Sequence, residues 1–193
     1  MNGHICVKSL SYLPVNTPDI SNINLCSFNK PVGYSTGLFV FIQRKYMMNS
    51  TMLVSDDFVH IQANRVTLSE RQDFWQTHFG TVKGFTAFEV VIFTIMGQFC
   101  DEYTGGYWEY CTLPNGGAFI YPDLGSEKLT LFNMHNGNEA ILSPEAAGVA
   151  VCLMLYSQWS FRTENELLVE RFYQLRDYAI QHPESSAIFH LID

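Results

Sequence analysis

Residues 100–122 read CDEYTGGYWEYCTLPNGGAFIYP and combine six aromatic side chains with two glycine pairs. Glycine pairs favour tight turns, and the aromatic, alternating residues between them favour short strands. The stretch therefore predicts a strand over residues 107–113, a turn at 114–117 and a returning strand over 118–121. Pro122 lacks a backbone N–H and ends that strand. No other stretch of the sequence is more informative about the fold.

A second hairpin follows the first. Residues 129–134 alternate leucines with Thr130 and Phe132. Asn136-Gly137 is the dipeptide most typical of a tight hairpin turn, and it leads into a short strand over 139–142. The sheet is therefore predicted to be mostly antiparallel.

Two helices are predicted before the strands. Thr67-x-x-Glu70 has the capping-box spacing and predicts a helix that ends at Gly80 as a C′ glycine. Thr86-x-x-Glu89 predicts the next helix in the same way. Val90 and Phe93 widen the apolar face of that helix, so we expect it to be largely buried. The face itself consists of Phe88, Val91, Ile92, Ile95, Met96 and Phe99.

Two more helices are predicted after the strands. Ser143-Pro144-Glu145 supplies an N-cap, an N1 proline and an early carboxylate for a helix to about Gln158. Thr163-x-x-Glu166 is a third capping box and opens the last helix, which Pro183 ends. The order ααββββαα predicts an α+β fold in which a small antiparallel sheet of about four short strands packs with four or more helices.

Charge divides the chain into two parts. Residues 1–54 have a formal charge of +3, whereas 55–193 hold eighteen acidic and seven basic side chains, a charge of −11. We therefore predict an N-terminal extension of uncertain role over 1–54, with one strand-like run at 37–42, and a single α+β domain over 55–193. The extension is either an upstream addition, preceding a start at Met47, Met48 or Met52, or an arm packed on the domain.

The acidic domain disfavours non-specific binding of nucleic acid or anionic membrane, and it favours a protein partner or a basic surface that normally holds DNA. Five cysteines without a C-x-x-C spacing indicate a reduced, cytoplasmic protein. The apolar runs are shorter than the roughly 20 residues of a spanning helix, and the N-terminus lacks the features of a signal peptide.

The sequence gives little support for a catalytic site. Cys100 precedes two carboxylates and lies near the end of a predicted helix, where the thiolate is disfavoured. Cys100, Cys111 and His135 lack zinc-site spacing, and the glycine pairs match turns better than phosphate loops. His78 and His182 are expected to cap helix C-termini as partly cationic side chains. We predict no catalytic residue, metal or cofactor; a small enzyme built on Cys100, Asp101 or His135 is the alternative.

The last predicted helix has two stripes at helical spacing. Leu168, Phe172, Leu175 and Ala179 are expected to face the core. Glu166, Glu170, Tyr173 and Asp177 are expected to lie about 200° away and face solvent. This second stripe is either an ordinary solvated face or an acidic docking surface for a partner.

The chain resembles the ArdB/KlcA-type antirestriction family in four blocks that share the family's order and spacing. They are FWQTHFG (74–80), FCDEYTGGYWEYCTLPNGGAFIYP (99–122), HNGNEAILSPEAAGVAVCLMLYS (135–157) and FYQLRDYAIQHPESSAIFHLID (172–193). The resemblance spans roughly residues 67–193 and leaves the first 54 residues unexplained.

The resemblance implies a cytoplasmic, non-enzymatic protein of plasmids or other mobile elements that relieves type I restriction of incoming DNA. Its partners would be subunits of the type I restriction-modification enzyme or an associated host factor, without direct binding of nucleic acid. A DNA-recruiting scaffold of conjugation is a further alternative.

Overall fold

This computed structural model describes residues 60–125 and 127–193. These residues form five α-helices and five β-strands, joined by turns and short 3₁₀ helices. The order of elements confirms the predicted α+β class. Their bounds are β1 Asn64–Arg65, α1 Phe74–Phe79, α2 Phe88–Phe99, β2 Trp108–Thr112, β3 Ala118–Pro122, β4 Leu129–Asn133, β5 Asn138–Leu142, α3 Pro144–Thr163, α4 Glu166–Gln181 and α5 Ser185–Ile192.

The N-terminal predictions fall outside the described residues. They include the extension over 1–54, its strand-like run at 37–42 and the candidate starts at Met47, Met48 and Met52. The division of the chain near residue 54 therefore stays a prediction.

The strands form two antiparallel sheets. β2 pairs with β3 so that Tyr110 lies opposite Ile120. β1 pairs with the other edge of β2, so the strand order is β1-β2-β3. β4 and β5 form a separate hairpin in which Leu131 lies opposite Ala140. β1 was not predicted, because two polar residues have no alternating pattern and become a strand only through their partners in β2.

Helix α3 packs across β3 and forms the centre of the core. Gly148 permits this approach, since a Cβ placed there would lie 2.3 Å from Tyr121 Cβ and 2.5 Å from the Ile120 carbonyl oxygen. About two helical turns further along α3, the buried Tyr156 hydroxyl donates a 2.8 Å hydrogen bond to the carbonyl oxygen of Ala118. All five residues of β3 are buried, so the first hairpin is internal framework.

None of the three predicted capping boxes forms in full. The Glu70 carboxylate accepts from the Thr67 backbone N–H at 3.1 Å, which is the reciprocal half of the first box. The Thr67 hydroxyl donates to the same carboxylate and caps no backbone N–H, and α1 begins only at Phe74, after a 3₁₀ turn over Arg71–Asp73. Glu89 instead accepts a 2.9 Å hydrogen bond from the Trp75 indole, and α2 begins after a 3₁₀ turn. Asn165 caps α4 through its Oδ1, which accepts from Leu168 N at 3.1 Å.

The remaining differences concern helix ends and faces. α3 runs five residues beyond the predicted end at Gln158, to Thr163, which removes Thr163 as a cap for the next helix. Gly80 has a right-handed φ of −58°, so it ends α1 without the left-handed conformation that was predicted. The six periodic apolar residues of α2 are buried as predicted, but Val90 is 54% exposed, and the apolar face is narrower than expected.

Helix α5 follows Pro183 and was not predicted. Its C-terminal carbonyl groups lack intrahelical partners, and asparagine side chains of the second hairpin satisfy them. Asn133 and Asn136 donate to the Leu191 carbonyl oxygen at 2.9 and 3.0 Å, and Asn138 donates to that of His190 at 2.6 Å. These amides fix the hairpin on the helix.

Among the described residues, no helix combines the length and apolar character needed to cross a membrane.

Candidate interaction surfaces

Most aromatic side chains of residues 100–122 pack against the core, whereas Tyr107 is 85% exposed. Trp108 is buried, donates its indole N–H to the Tyr103 hydroxyl at 2.8 Å and lies 4.8 Å from the Phe93 ring. On the strand's other face Cys111 is buried too, and Glu109 forms an ion pair of 2.6 Å with Arg71. Both faces of β2 are therefore covered.

The buried thiols have little nucleophilic character. Burial raises the pKa of Cys100, and the nearby Glu102 and Asp101 carboxylates raise it further. Burial raises the pKa of Cys111 and of Cys152 to about 12. Because the thiolate is the reactive form, these sites are poorly suited to nucleophilic or metal chemistry.

Cys100 and its acidic neighbours do not form a joint site. Asp101 and Glu102 are exposed, and the Glu102 carboxylate accepts from the backbone N–H of Thr130 at 3.2 Å. Within residues 60–125 and 127–193, no three His, Cys, Asp or Glu side chains group as metal ligands. An open groove of about 390 Å³ lies beside α1, and its lining includes Arg65, Glu70 and His78 but none of the cysteines.

The two predicted capping histidines differ from expectation. Burial lowers the pKa of both His78 and His182, and Arg171 lowers that of His78 further, so the cationic form is disfavoured. His182 Nδ1 accepts a 3.0 Å hydrogen bond from the backbone N–H of Glu184. It therefore caps the start of the next segment as a neutral acceptor, not the end of α4 as a cation.

The glycine pair at 116–117 forms a turn that docks on α4. Gly116 has a φ of +94°, and a Cβ there would lie 3.0 Å from Gln174 Nε2 and 3.1 Å from Arg171 Nη1. The Arg171 guanidinium donates to the Gly116 carbonyl oxygen at 2.6 Å and to the His78 carbonyl oxygen at 3.3 Å. The predicted turn is confirmed, and its glycine permits close contact with the helix.

The predicted acidic stripe on α4 is only partly at the surface. Glu166 and Glu170 are exposed, Asp177 is half-buried, and Tyr173 is 6% exposed. Tyr173 is buried because α4 packs against more than one neighbour, including α3 and β3, so its covered surface is wider than one stripe. The Glu170 carboxylate accepts from Gln174 Nε2 at 3.1 Å. The accessible acidic face of α4 therefore consists of Glu166, Glu170 and Asp177.

The outer side of the second hairpin exposes apolar residues that were not singled out from the sequence. Phe132, Met134 and Ile141 are 48%, 57% and 58% exposed. The signal was present in the sequence, because apolar residues occupy both phases of the alternation in 129–134 and 139–142. A strand with one solvated face normally has polar residues in the outward phase.

Comparison with known proteins identifies the family. The family described as "Antirestriction protein" matches residues 101–193. The chain is also 33% identical over 140 residues to the antirestriction protein KlcA of Escherichia coli, and the match covers 69% of this chain and 95% of KlcA. The chain belongs to the KlcA antirestriction family. The resemblance seen in the four sequence blocks is thereby confirmed.

Two further relatives extend this family assignment. The chain is 54% identical over 121 residues to the uncharacterized protein YfjX of Escherichia coli K12, which covers 62% of this chain and 80% of YfjX. A solved structure from work on KlcA and ArdB matches with a TM-score of 0.62 and 32% identity, covering 69% of this chain and 95% of the solved one. That work describes a novel fold and antirestriction activity against type I DNA restriction systems in vivo but not in vitro.

Proposed function

We propose that this member of the antirestriction family relieves type I restriction of incoming DNA by binding a protein, without catalysis. The observation that carries the proposal is the likeness to KlcA and ArdB, whose activity against type I systems occurs in vivo but not in vitro. An inhibitor that works only in the cell needs a cellular component that the purified assay lacks. A type I subunit in its cellular state, or a host factor associated with it, fits that requirement.

The chemistry of the described residues supports binding over catalysis. The three thiols of the domain are buried, and burial raises the pKa of each. A nucleophile requires an accessible group with a nearby base, whereas Cys100 is fully buried and the Glu102 carboxylate bonds the backbone N–H of Thr130. The proposed function needs no cofactor.

The acidic face of α4 is one proposed contact for a basic partner. Glu166 and Glu170 lie one helical turn apart, about 6 Å, which is comparable to the spacing of phosphates along a DNA strand. Tyr173 belongs to the packing beneath this face, and Asp177 lies at its far end. Seven basic side chains among eighteen acidic ones over 55–193 argue against full DNA mimicry. The same balance argues against direct binding of nucleic acid.

We also propose that residues 55–193 contain the whole activity and that the protein works in the cytoplasm, where restriction occurs. The match to KlcA covers 95% of that protein but only 69% of this chain. A chain starting at Met52 should protect as well as the full chain; loss of protection would assign a working role to the preceding segment.

A phage plating assay tests the proposed function. Unmodified phage is plated on cells with an active type I system, with and without expression of this chain, and modified phage provides the control. We expect the plating efficiency of unmodified phage to rise at least tenfold and that of modified phage to stay constant. An unchanged efficiency at good expression would refute the proposal.

A further inference from the structure

The outer face of the β4–β5 hairpin is an apolar surface on an otherwise acidic domain. Phe132 and Ile141 occupy diagonal positions of the register on this face, close enough for their side chains to form one patch. Met134 extends the patch at the turn. The opposite face of the same hairpin is buried in the core through Leu129, Leu131, Ala140 and Leu142.

This patch is held in a fixed orientation. Three asparagines of the hairpin bond the last carbonyl groups of α5, and Glu102 bonds the backbone of Thr130 at the edge of β4. A surface that is ordered before binding loses less conformational entropy when a partner docks. Exposed apolar side chains on a rigid hairpin are a feature of contact sites.

Carboxylates border the patch and indicate the chemistry of its partner. Glu139 lies directly opposite Phe132 in the register, and Glu102 reaches Thr130, the neighbour of Ile141 across the sheet. Both glutamates are exposed. An apolar centre with an acidic border complements a surface that has an apolar centre and a border of lysine or arginine.

A second copy of this chain is a poor docking partner for the hairpin face. In a two-fold arrangement the same patch contacts itself, so the glutamates of both copies would come together. Like charges placed opposite each other across an interface are unfavourable, and each domain has a net charge of −11 over 55–193.

We infer that the hairpin face, defined as Phe132, Met134 and Ile141 with Glu102 and Glu139 at its border, docks a basic protein partner. This inference rests on the proposed function and adds the hairpin face to the α4 face as a contact surface. The apolar side chains supply the anchor, and the glutamates select a lysine- or arginine-rich border over an acidic one.

The first test removes the apolar anchor. The double variant Phe132→Ser with Ile141→Thr should lower phage protection at least tenfold while its melting temperature stays within about 3 °C of wild type. Leu68→Ser is the matched control, because Leu68 is 78% exposed and lies before α1. It should protect fully. If the double variant folds and protects as well as the control, the hairpin face is not the docking surface.

A second test isolates the charge and covers the case in which the double variant is unstable. Glu139→Lys should weaken protection by about tenfold, because it places a cation opposite a basic border. Asp123→Lys makes the same charge change at an exposed position just after β3 and should have no effect. Equal protection by both variants would contradict a basic partner.

A third test identifies the molecule that contacts the hairpin face in living cells. A photo-crosslinking phenylalanine analogue replaces Phe132, or Leu68 in the control, in cells with a type I system. We expect an adduct at position 132 alone, with the crosslinked partner peptide in a lysine- or arginine-rich surface. An adduct with a second copy, an adduct in an acidic surface, or none would overturn the inference.

The wild-type protection assay separates the two claims. If wild type does not protect, the proposed function itself has failed. If wild type protects and the hairpin variants protect equally well, the function stands and only the hairpin surface is wrong.

Discussion

Asn133 of β4 donates a 2.9 Å hydrogen bond to the Leu191 carbonyl oxygen in the last turn of α5. The Asn133 side chain is buried, and its oxygen accepts from the backbone N–H of His135 at 3.0 Å. One amide therefore joins the hairpin, its turn and the C-terminal helix.

Replacing this amide should destabilise the domain. Asn133→Ala leaves the backbone N–H of His135 without its partner and the Leu191 carbonyl oxygen with only its bond from Asn136, so we expect the free energy of unfolding to fall by about 2 kcal/mol. Asn136→Ala is the control, because Asn136 is exposed and water replaces its bond; it should cost less than about 1 kcal/mol. Urea denaturation measures both. If both variants lose the same free energy of unfolding, the buried hydrogen bonds of Asn133 contribute no more than the exposed bond of Asn136.

The acidic face of α4 gives a functional prediction. Glu166→Lys with Glu170→Lys should weaken phage protection several-fold if a basic partner contacts this face, while stability changes by less than about 1 kcal/mol. Asp73→Lys with Asp123→Lys makes the same charge change at exposed positions outside α4. If the α4 variant protects as well as this control, the acidic face of α4 is an ordinary solvent-exposed surface and contacts no partner.

Removal of the Cys100 thiol separates binding from catalysis. Cys100 is fully buried, and Cys100→Ala leaves only a small cavity, so we expect a stability loss of about 1 kcal/mol and unchanged protection. Plating efficiency and a thermal melt of the same variant check the two expectations. Loss of protection in a variant that remains folded would favour the enzyme alternative.

Stability should fall as the solution is acidified below pH 7. Burial lowers the pKa of His182 beneath its ordinary 6.5, although Glu145 and Glu184 act in the opposite direction. The unfolded chain therefore binds more protons than the folded one, and stability declines from about pH 6.5 down to the lowered folded value. His182→Asn retains an acceptor for Glu184 N and removes the titration.

Urea midpoints at pH 7.5 and 5.5 measure this effect. The difference between the two midpoints should be smaller in His182→Asn than in wild type, and the part that remains is expected from His78, whose pKa is also lowered by burial. An unchanged difference would show that His182 does not contribute.

The strands and turns were predictable because their signals are local. Glycine at left-handed positions and the alternation of 107–113 and 129–134 specify hairpins without help from distant residues. The N-cap at Ser143 is equally local, and its side chain accepts from Ala146 N as expected.

The errors arose where a distant residue competes for a local group. Glu89 has capping-box spacing, but the Trp75 indole occupies its carboxylate. β1 exists only through pairing with β2, and α5 ends on asparagines from a hairpin more than fifty residues earlier. Tyr173 belongs to a stripe that helical periodicity places in solvent, yet the packing of α4 buries it. Tertiary contacts of this kind leave no periodic pattern in the sequence.

Co-purification from restricting cells tests whether this chain acts by binding a protein. Tagged chain is isolated from cells with an active type I system under conditions in which it protects, and the retained proteins are compared with those from an unrelated tagged acidic protein. We expect wild type to retain a type I subunit or a factor bound to it, and Phe132→Ser with Ile141→Thr to lose it. Full protection with no specifically retained protein would rule out action by protein binding.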